Sequence, residues 1–109
     1  MANTFKLKTK ANEGVTTVGI YTPPAATTTV VIGITMANTS GSGVNVGVGI
    51  TRAGTTEDVK LLKNAPIPSG SSLEFMSGNK IVLEATDTVT VDSDTNNSVD
   101  ASLTIMEIT

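Results

Sequence analysis

The oxygen-bearing side chains of Asp92, Asp94 and Asn96 form the arrangement in this sequence that comes nearest to a chemical site. They occupy positions one, three and five of the segment DSDTNN, where the calcium loop of an EF-hand carries its first ligands. The rest of that motif is missing, because Asn97 stands where the sharp turn needs glycine and Leu103 stands where a bidentate glutamate closes the loop. We therefore predict a polar hairpin tip and assign no metal site, and the sequence leaves open whether this tip binds a cation.

Carboxylates, hydroxyls and lysines are the remaining groups that could support catalysis. Glu84 and Asp87 lie three residues apart at a predicted bend, and a carboxylate pair can cleave glycosidic bonds when it faces a sugar in a cleft. The chain has one Tyr, two Phe and no Trp to line such a cleft, and no His or Cys to serve as general base or zinc ligand. No nucleophile elbow, Ser-x-x-Lys motif or phosphate loop occurs. The sequence thus predicts a protein that is not an enzyme and carries no cofactor.

The charge of the chain argues against nucleic acid as a partner. Seven Lys and Arg residues against ten Asp and Glu give a formal net charge of −3, whereas nucleic-acid binding needs a basic surface and usually aromatic side chains for stacking. Lys6, Lys8 and Lys10 alternate along one strand, which is typical of a solvated sheet edge. No apolar run approaches the ~20 residues of a membrane helix, and the N-terminus lacks the apolar core of a secretory signal. We therefore expect no membrane association and synthesis in the cytoplasm.

Two-residue alternation of apolar and polar side chains covers most of the chain and indicates half-buried β-strands. Turn-forming residues interrupt it every ~8–12 residues, as in sandwiches and barrels. The predicted strands are 5–10, 16–22, 30–37, 44–51, 59–63, 73–76, 80–85, 87–93 and 99–109. Alternatively, residues 80–93 form one bent strand in place of two. This pattern predicts an all-β fold: an antiparallel β-sandwich of about eight strands, jelly-roll or immunoglobulin-like, in a single domain spanning 1–109.

Two of these strands carry expectations about which face is buried. In residues 30–37 the alternation places four apolar side chains on one face, namely Val30, Ile32, Ile34 and Met36. The C-terminal strand has its own apolar face, and Met106 and Ile108 add apolar side chains to the opposite one. A strand that is apolar on both faces is buried on both. We therefore expect another copy of the chain to cover Met106 and Ile108.

Glycines and prolines mark further candidate contacts between subunits. Gly47 and Gly49 lie on the outward side of the strand 44–51, where glycine weakens the strand. A neighbouring subunit, a covering part of the same chain, or strong curvature of the strand would each explain them. Pro66 and Pro68, in the segment NAPIPSGSS, predict a stiff connection between sheets that loses little entropy when a partner packs on it. An ordinary crossing loop explains the same residues.

Three long segments resemble a known group of proteins. They are IYTPPAATTTVVIGITMANTSGS, LLKNAPIPSGSSLEFMSGNKIVLEATDTVTV and SVDASLTIMEIT. Together they resemble small virion structural proteins of tailed bacteriophages, especially marine and cyanobacterial phages, and the resemblance runs from Phe5 to Thr109. The ending MEIT has Met106 where that group carries Leu. The resemblance implies a component of the virion, made in the host cytoplasm, with other virion proteins as its partners.

Three functions are compatible with this resemblance. The first is a capsid decoration or cement protein, bound to the major capsid protein in many copies as a homo-oligomer, with a trimer favoured. The second is a neck, tail or fibre-associated module. The third is a carbohydrate-binding module for host attachment, for which Tyr21 supplies little stacking surface. The candidate interface residues are Gly47, Gly49, Pro66, Pro68, Met106 and Ile108.

Overall fold

Nine strands make up the part of the chain that a computed structural model describes, residues 3–52, 58–74 and 80–109. They are β1 (Asn3–Glu13), β2 (Val18–Tyr21), β3 (Thr28–Asn38), β4 (Val44–Thr51), β5 (Asp58–Ile67), β6 (Ser72–Glu74), β7 (Ile81–Leu83), β8 (Thr88–Ser93) and β9 (Val99–Ile108). Every pairing between them is antiparallel. Within these ranges there is no helix of the length and apolarity needed to cross a membrane. The predicted all-β antiparallel sandwich is confirmed; residues 75 and 76 of the predicted strand 73–76 lie outside the described residues.

Two sheets form the sandwich. Sheet A has the order β1-β9-β3, and β6 and β7 both pair with the other side of β3. Sheet B has the order β2-β8-β4-β5. Since β7 and β8 belong to different sheets, residues 80–93 form two strands and not one bent strand. The chain passes from sheet B to sheet A between β5 and β6, at residues 68–71.

Apolar side chains from the inner faces of both sheets form the core. The largest sets come from alternate positions of two central strands: Val99, Ala101, Leu103 and Ile105 of β9, and Val44, Val46, Val48 and Ile50 of β4. Burying a Val, Leu or Ile side chain stabilises a fold by roughly 1.5–3 kcal/mol relative to leaving it exposed. A register slip of one residue would turn either set outward, so these positions fix the alignment of both sheets.

A bulge in β3 changes which residues of that strand face the core. The pairing of β3 with β9 shifts register at Ile32, which becomes an extra residue in β3. Val31, Ile34 and Met36 are buried in the core, whereas Val30 and Ile32 lie on the outward face. The prediction that all four residues of the alternating set share one face is therefore wrong, because one inserted residue reverses the alternation on its N-terminal side.

Candidate assembly surface

The outer face of sheet A carries a row of apolar side chains that crosses four strands. Phe5 on β1 lies opposite Met106 on β9. Val30 on β3 lies opposite Met106 on one side and opposite Val82 on β7 on the other. We call Phe5, Met106, Val30 and Val82 the apolar row. Phe5 is 68% exposed and Val82 is 61% exposed, and contiguous exposed apolar side chains of this kind mark a surface that contacts another molecule.

Three more apolar side chains extend the apolar row along the strands. Leu7 on β1 is 64% exposed, Ile32 protrudes at the bulge of β3, and Ile108 near the end of β9 is half-buried. Met106 and Ile108 thus lie on the outward face of β9, as the alternation of that strand predicts. Their contact with another subunit stays a prediction.

β1 turns its lysines toward the open edge between the sheets and its large apolar residues toward solvent. Lys6 Nζ lies 2.8 Å from Glu107 Oε1, and Lys8 Nζ lies 5.9 Å from the centre of the Tyr21 ring. β1 is an outer strand of sheet A, as the lysine pattern predicts. Phe5 and Leu7 could not be assigned to this surface from the sequence, because the alternation FKLKTK does not reveal which set of side chains faces the core.

Tyr21, Glu107 and Thr29 form a buried polar cluster beside Lys6. Tyr21 Oη donates a hydrogen bond of 2.6 Å to Glu107 Oε2 and lies 2.8 Å from Thr29 Oγ1. The hydrogen bonds from Lys6 and Tyr21 hold the pKa of Glu107 below its ordinary value. Burial, followed by the hydrogen bond to Glu107, raises the pKa of Tyr21 to about 12. The cluster ties β1, β2, β3 and β9 together and so holds the end of β9 that presents its outward apolar residues.

Gly47 and Gly49 are buried under parts of their own chain. A Cβ at Gly49 would lie 3.0 Å from the carbonyl oxygen of Val59 and 3.2 Å from Thr90 Oγ1. A Cβ at Gly47 would lie 2.6 Å from Asp92 Oδ1. Of the explanations that the sequence leaves open, the structure supports close approach by the same chain, namely by the β5 backbone and by side chains of β8. The contact of these glycines with another subunit stays a prediction.

Pro66 and Pro68 lie at the end of β5, an outer strand of sheet B, and both are exposed. Pro66 pairs with Asn45 of β4, whereas Pro68 follows the last residue of the strand. The connection between the sheets is therefore shorter than the segment NAPIPSGSS, whose first half belongs to β5. Because proline cannot donate a hydrogen bond, it suits an outer strand and discourages a further strand from pairing there. Their role in an interface also stays a prediction.

Asp92, Asp94 and Asn96 each have separate partners within the chain. Asp92 Oδ2 accepts a hydrogen bond of 3.0 Å from Thr17 Oγ1, and Asp94 Oδ1 accepts one of 3.1 Å from the Asn45 backbone N–H. Asn96 Oδ1 accepts a long one of 3.4 Å from a backbone N–H in the turn after β1. In the described part of the chain, no group of three or more Asp, Glu, His or Cys side chains is placed to hold a metal ion. The predicted hairpin is wrong, because β8 and β9 lie in different sheets and the tip is a crossing turn.

Glu84 and Asp87 converge on Arg52. Asp87 is buried, and its Oδ1 lies 3.2 Å from Arg52 Nε while its Oδ2 accepts a hydrogen bond of 3.0 Å from the Glu84 backbone N–H. Glu84 Oε1 lies 3.5 Å from Arg52 Nη2. These contacts fix the turn between β7 and β8 to the end of β4.

Glu13 is a buried carboxylate at the end of β1, and nothing in the local sequence pattern marks it as buried. Its Oε1 accepts a hydrogen bond of 3.0 Å from the Gly14 N–H, whereas its Oε2 has no hydrogen-bond partner among the described residues. Burial raises the pKa of Glu13. The Glu13 carbonyl accepts a hydrogen bond of 3.0 Å from the Ser98 N–H, so this residue joins the end of β1 to the crossing turn before β9.

No family model and no curated protein sequence matches this chain. Solved structures nevertheless share its fold. A protein of Bacillus endospore appendages, which are disulfide-linked pili, has a TM-score of 0.57 at 16% identity, with 99% of this chain and 87% of that chain covered. A chain of the acid-stable capsid of Helicobacter pylori bacteriophage KHP30 has a TM-score of 0.58 at 10% identity, with 100% and 94% covered.

A third solved structure places the same fold within a larger protein. The VP2 protein of the infectious bursal disease virus subviral particle has a TM-score of 0.57 at 12% identity, with 96% of this chain covered. This chain spans 32% of the VP2 chain. At such identities the three comparisons establish a shared fold, which thus occurs in capsid and pilus proteins.

Proposed function

We propose that the chain is a bacteriophage virion structural protein that acts as a capsid decoration or cement protein, bound to the major capsid protein in many copies. The observation that carries the proposal is the apolar row, with Leu7 and Ile108 beside it, exposed across the outer face of sheet A. Proteins of symmetric shells act by burying such surfaces repeatedly against their neighbours. In this role the chain performs no catalysis and holds no cofactor.

The fold comparisons support the virion part of the proposal. The match to the bacteriophage KHP30 capsid chain covers 94% of that chain, so a whole small capsid protein has this architecture. A neck, tail or fibre-associated module is the second structural role, and copy number separates the two, since decoration covers the shell and a neck or tail part forms a single ring or stack.

The carbohydrate-binding alternative is weakened by the position of Tyr21. Tyr21 is 7% exposed and its hydroxyl donates a hydrogen bond to Glu107, so Tyr21 cannot stack on a sugar. The exposed aromatic side chain among the described residues is Phe5, and it lies within the apolar row and not in a polar cleft.

Substitution of Ile108 by Asp tests the assembly role. The variant should fold, because Ile108 is only half-buried in the chain, and it should be missing from purified particles, because an aspartate in an apolar contact loses its hydration without gaining a partner. Quantitative mass spectrometry of the particles gives the copy number, and circular dichroism checks the fold.

Val15→Asp is the matched control for this experiment. Val15 is 56% exposed and lies in the turn after β1, away from the outer face of sheet A. It should enter particles at the wild-type level. Incorporation of Ile108→Asp at that same level would refute the proposed contact.

A further inference from the structure

We propose that the outer face of sheet A pairs with the same face of a second copy of the chain, about a two-fold axis that runs across the strands. The pair places the apolar row of each copy over a groove in the other that is lined mainly by small side chains. Pairing goes beyond the proposed function: the neighbour that covers the apolar row is then the second copy, and the dimer as a whole is the unit that binds the major capsid protein.

The groove lies on the same outer face as the apolar row, toward the opposite end of the strands. It has a volume of about 310 Å³ and lies between β1, β9 and β3. The outward residues that line it are Thr9, Ala11, Thr35, Ala37, Ser102 and, at its far end, Asp100. The Asp100 carboxylate is exposed and its Oδ1 accepts a hydrogen bond of 2.9 Å from the Asn12 backbone N–H. The face thus carries large apolar side chains at one end and mainly small side chains at the other. When the second copy is turned end over end, the large side chains of each copy lie over the small ones of the other.

The cross-strand rows give the register of the pair. The apolar row begins at Phe5, the next row contains Leu7, Thr104 and Gly33, and the third begins at Thr9. Successive rows are roughly 7 Å apart, since side chains on one face are two residues apart along a strand. An axis through the middle row therefore sets Phe5 of one copy over Thr9 of the other. The same axis brings the two Leu7 side chains face to face.

The size of the face reaches the lower limit for a specific pair. β1, β3 and β9 are ten or eleven residues long. With a rise of roughly 3.3 Å per residue and a strand spacing of roughly 4.8 Å, three such strands cover about 500 Å². Pairing therefore buries about 1,000 Å² in total before β6 and β7 are counted, which reaches the lower limit for a specific interface.

The face is better suited to a second copy than the free edge of β1. Lys6, Lys8 and Lys10 alternate along β1, and an antiparallel β1–β1 pair would bring the lysines of both copies together. In the face-to-face pair Lys6 and Lys8 point away from the partner, because they project to the side of sheet A that faces sheet B.

Sedimentation velocity of the purified full chain over a range of concentrations measures the pairing. The wild type and Val15→Asp should sediment as dimers. Leu7→Asp should sediment as a monomer, because the axis would place two aspartates together in an apolar contact. Leu7 is 64% exposed, so circular dichroism should show an intact fold. A wild-type monomer at every concentration, a trimer, or a dimer of Leu7→Asp would overturn the proposal.

Disulfide coupling tests the end-over-end arrangement directly, since the chain has no native Cys. Leu7→Cys should couple to itself, and Phe5→Cys should couple to Thr9→Cys in a mixture of the two variants. Phe5→Cys alone should couple poorly, because its two copies lie about 13 Å apart along the strands. If Phe5→Cys couples to itself as fast as to Thr9→Cys, the apolar rows lie over each other and the proposed axis is wrong. Both measurements use purified protein and test only the pairing of two copies. The virion proposal is tested separately, by the incorporation of Ile108→Asp into particles.

Discussion

At the scale of single residues, Glu107 connects the outer strand β1 to the interior of the sandwich. Lys6 Nζ lies 2.8 Å from one carboxylate oxygen, and Tyr21 Oη lies 2.6 Å from the other. Both contacts favour the ionised carboxylate, so the pKa of Glu107 is lower in the folded chain than in the unfolded one. Glu107 therefore stabilises the fold above its unfolded pKa, and this contribution is lost as the pH falls through the folded pKa.

Replacing Lys6 by Met should lower the free energy of unfolding at neutral pH by roughly 1 kcal/mol, a modest value because solvent screens a lysine that is 42% exposed. The loss should shrink in acid, where Glu107 is protonated in both variants. Urea unfolding at a series of pH values measures it. Lys63→Met, at an exposed position of β5, is the control and should keep the wild-type pH dependence. Equal acid dependence in Lys6→Met and wild type would contradict this assignment.

At the scale of elements, β4 is an inner strand of sheet B, and the backbone of β5 lies close to the outward-facing glycine Gly49 of β4. Gly49→Ala should lower the free energy of unfolding by about 1–3 kcal/mol, the usual cost of overpacking. The added Cβ would lie 3.0 Å from the Val59 carbonyl oxygen, and a backbone atom cannot move aside as the end of a side chain can.

Gly41→Ala is the control for this substitution. A Cβ at Gly41 would meet no other atom within 4 Å, so the free energy of unfolding should change by less than about 0.5 kcal/mol. Both variants are compared by urea unfolding. Equal stability of the two would mean that β5 does not press on β4 as described.

Local alternation was enough to predict the strands and the sandwich, because a half-buried strand must place apolar side chains at every second position. It could not predict the bulge at Ile32 or the faces of Phe5 and Lys6, which depend on how β1 and β3 pair with β9. The candidate surface likewise contains some residues that the sequence predicts and others that it does not. Ile108 follows from the pattern of a single strand, whereas Val82 joins the surface only through pairing with β3, which is distant in sequence.

At the scale of the whole molecule, the two outer faces of the sandwich differ in character. Sheet A presents the apolar row, whereas the outward positions of β8, near the middle of sheet B, are Thr88, Thr90 and Asp92. A molecule with one apolar face and one polar face docks in a defined direction. We therefore expect sheet A to form the buried side of an assembly.

A cryo-EM map of intact particles that contain the protein tests this central claim most directly. It should show the outer face of sheet A covered in every copy, with Phe5, Leu7 and Val82 inaccessible to solvent. A map in which these side chains face solvent while sheet B forms the contacts would contradict the account.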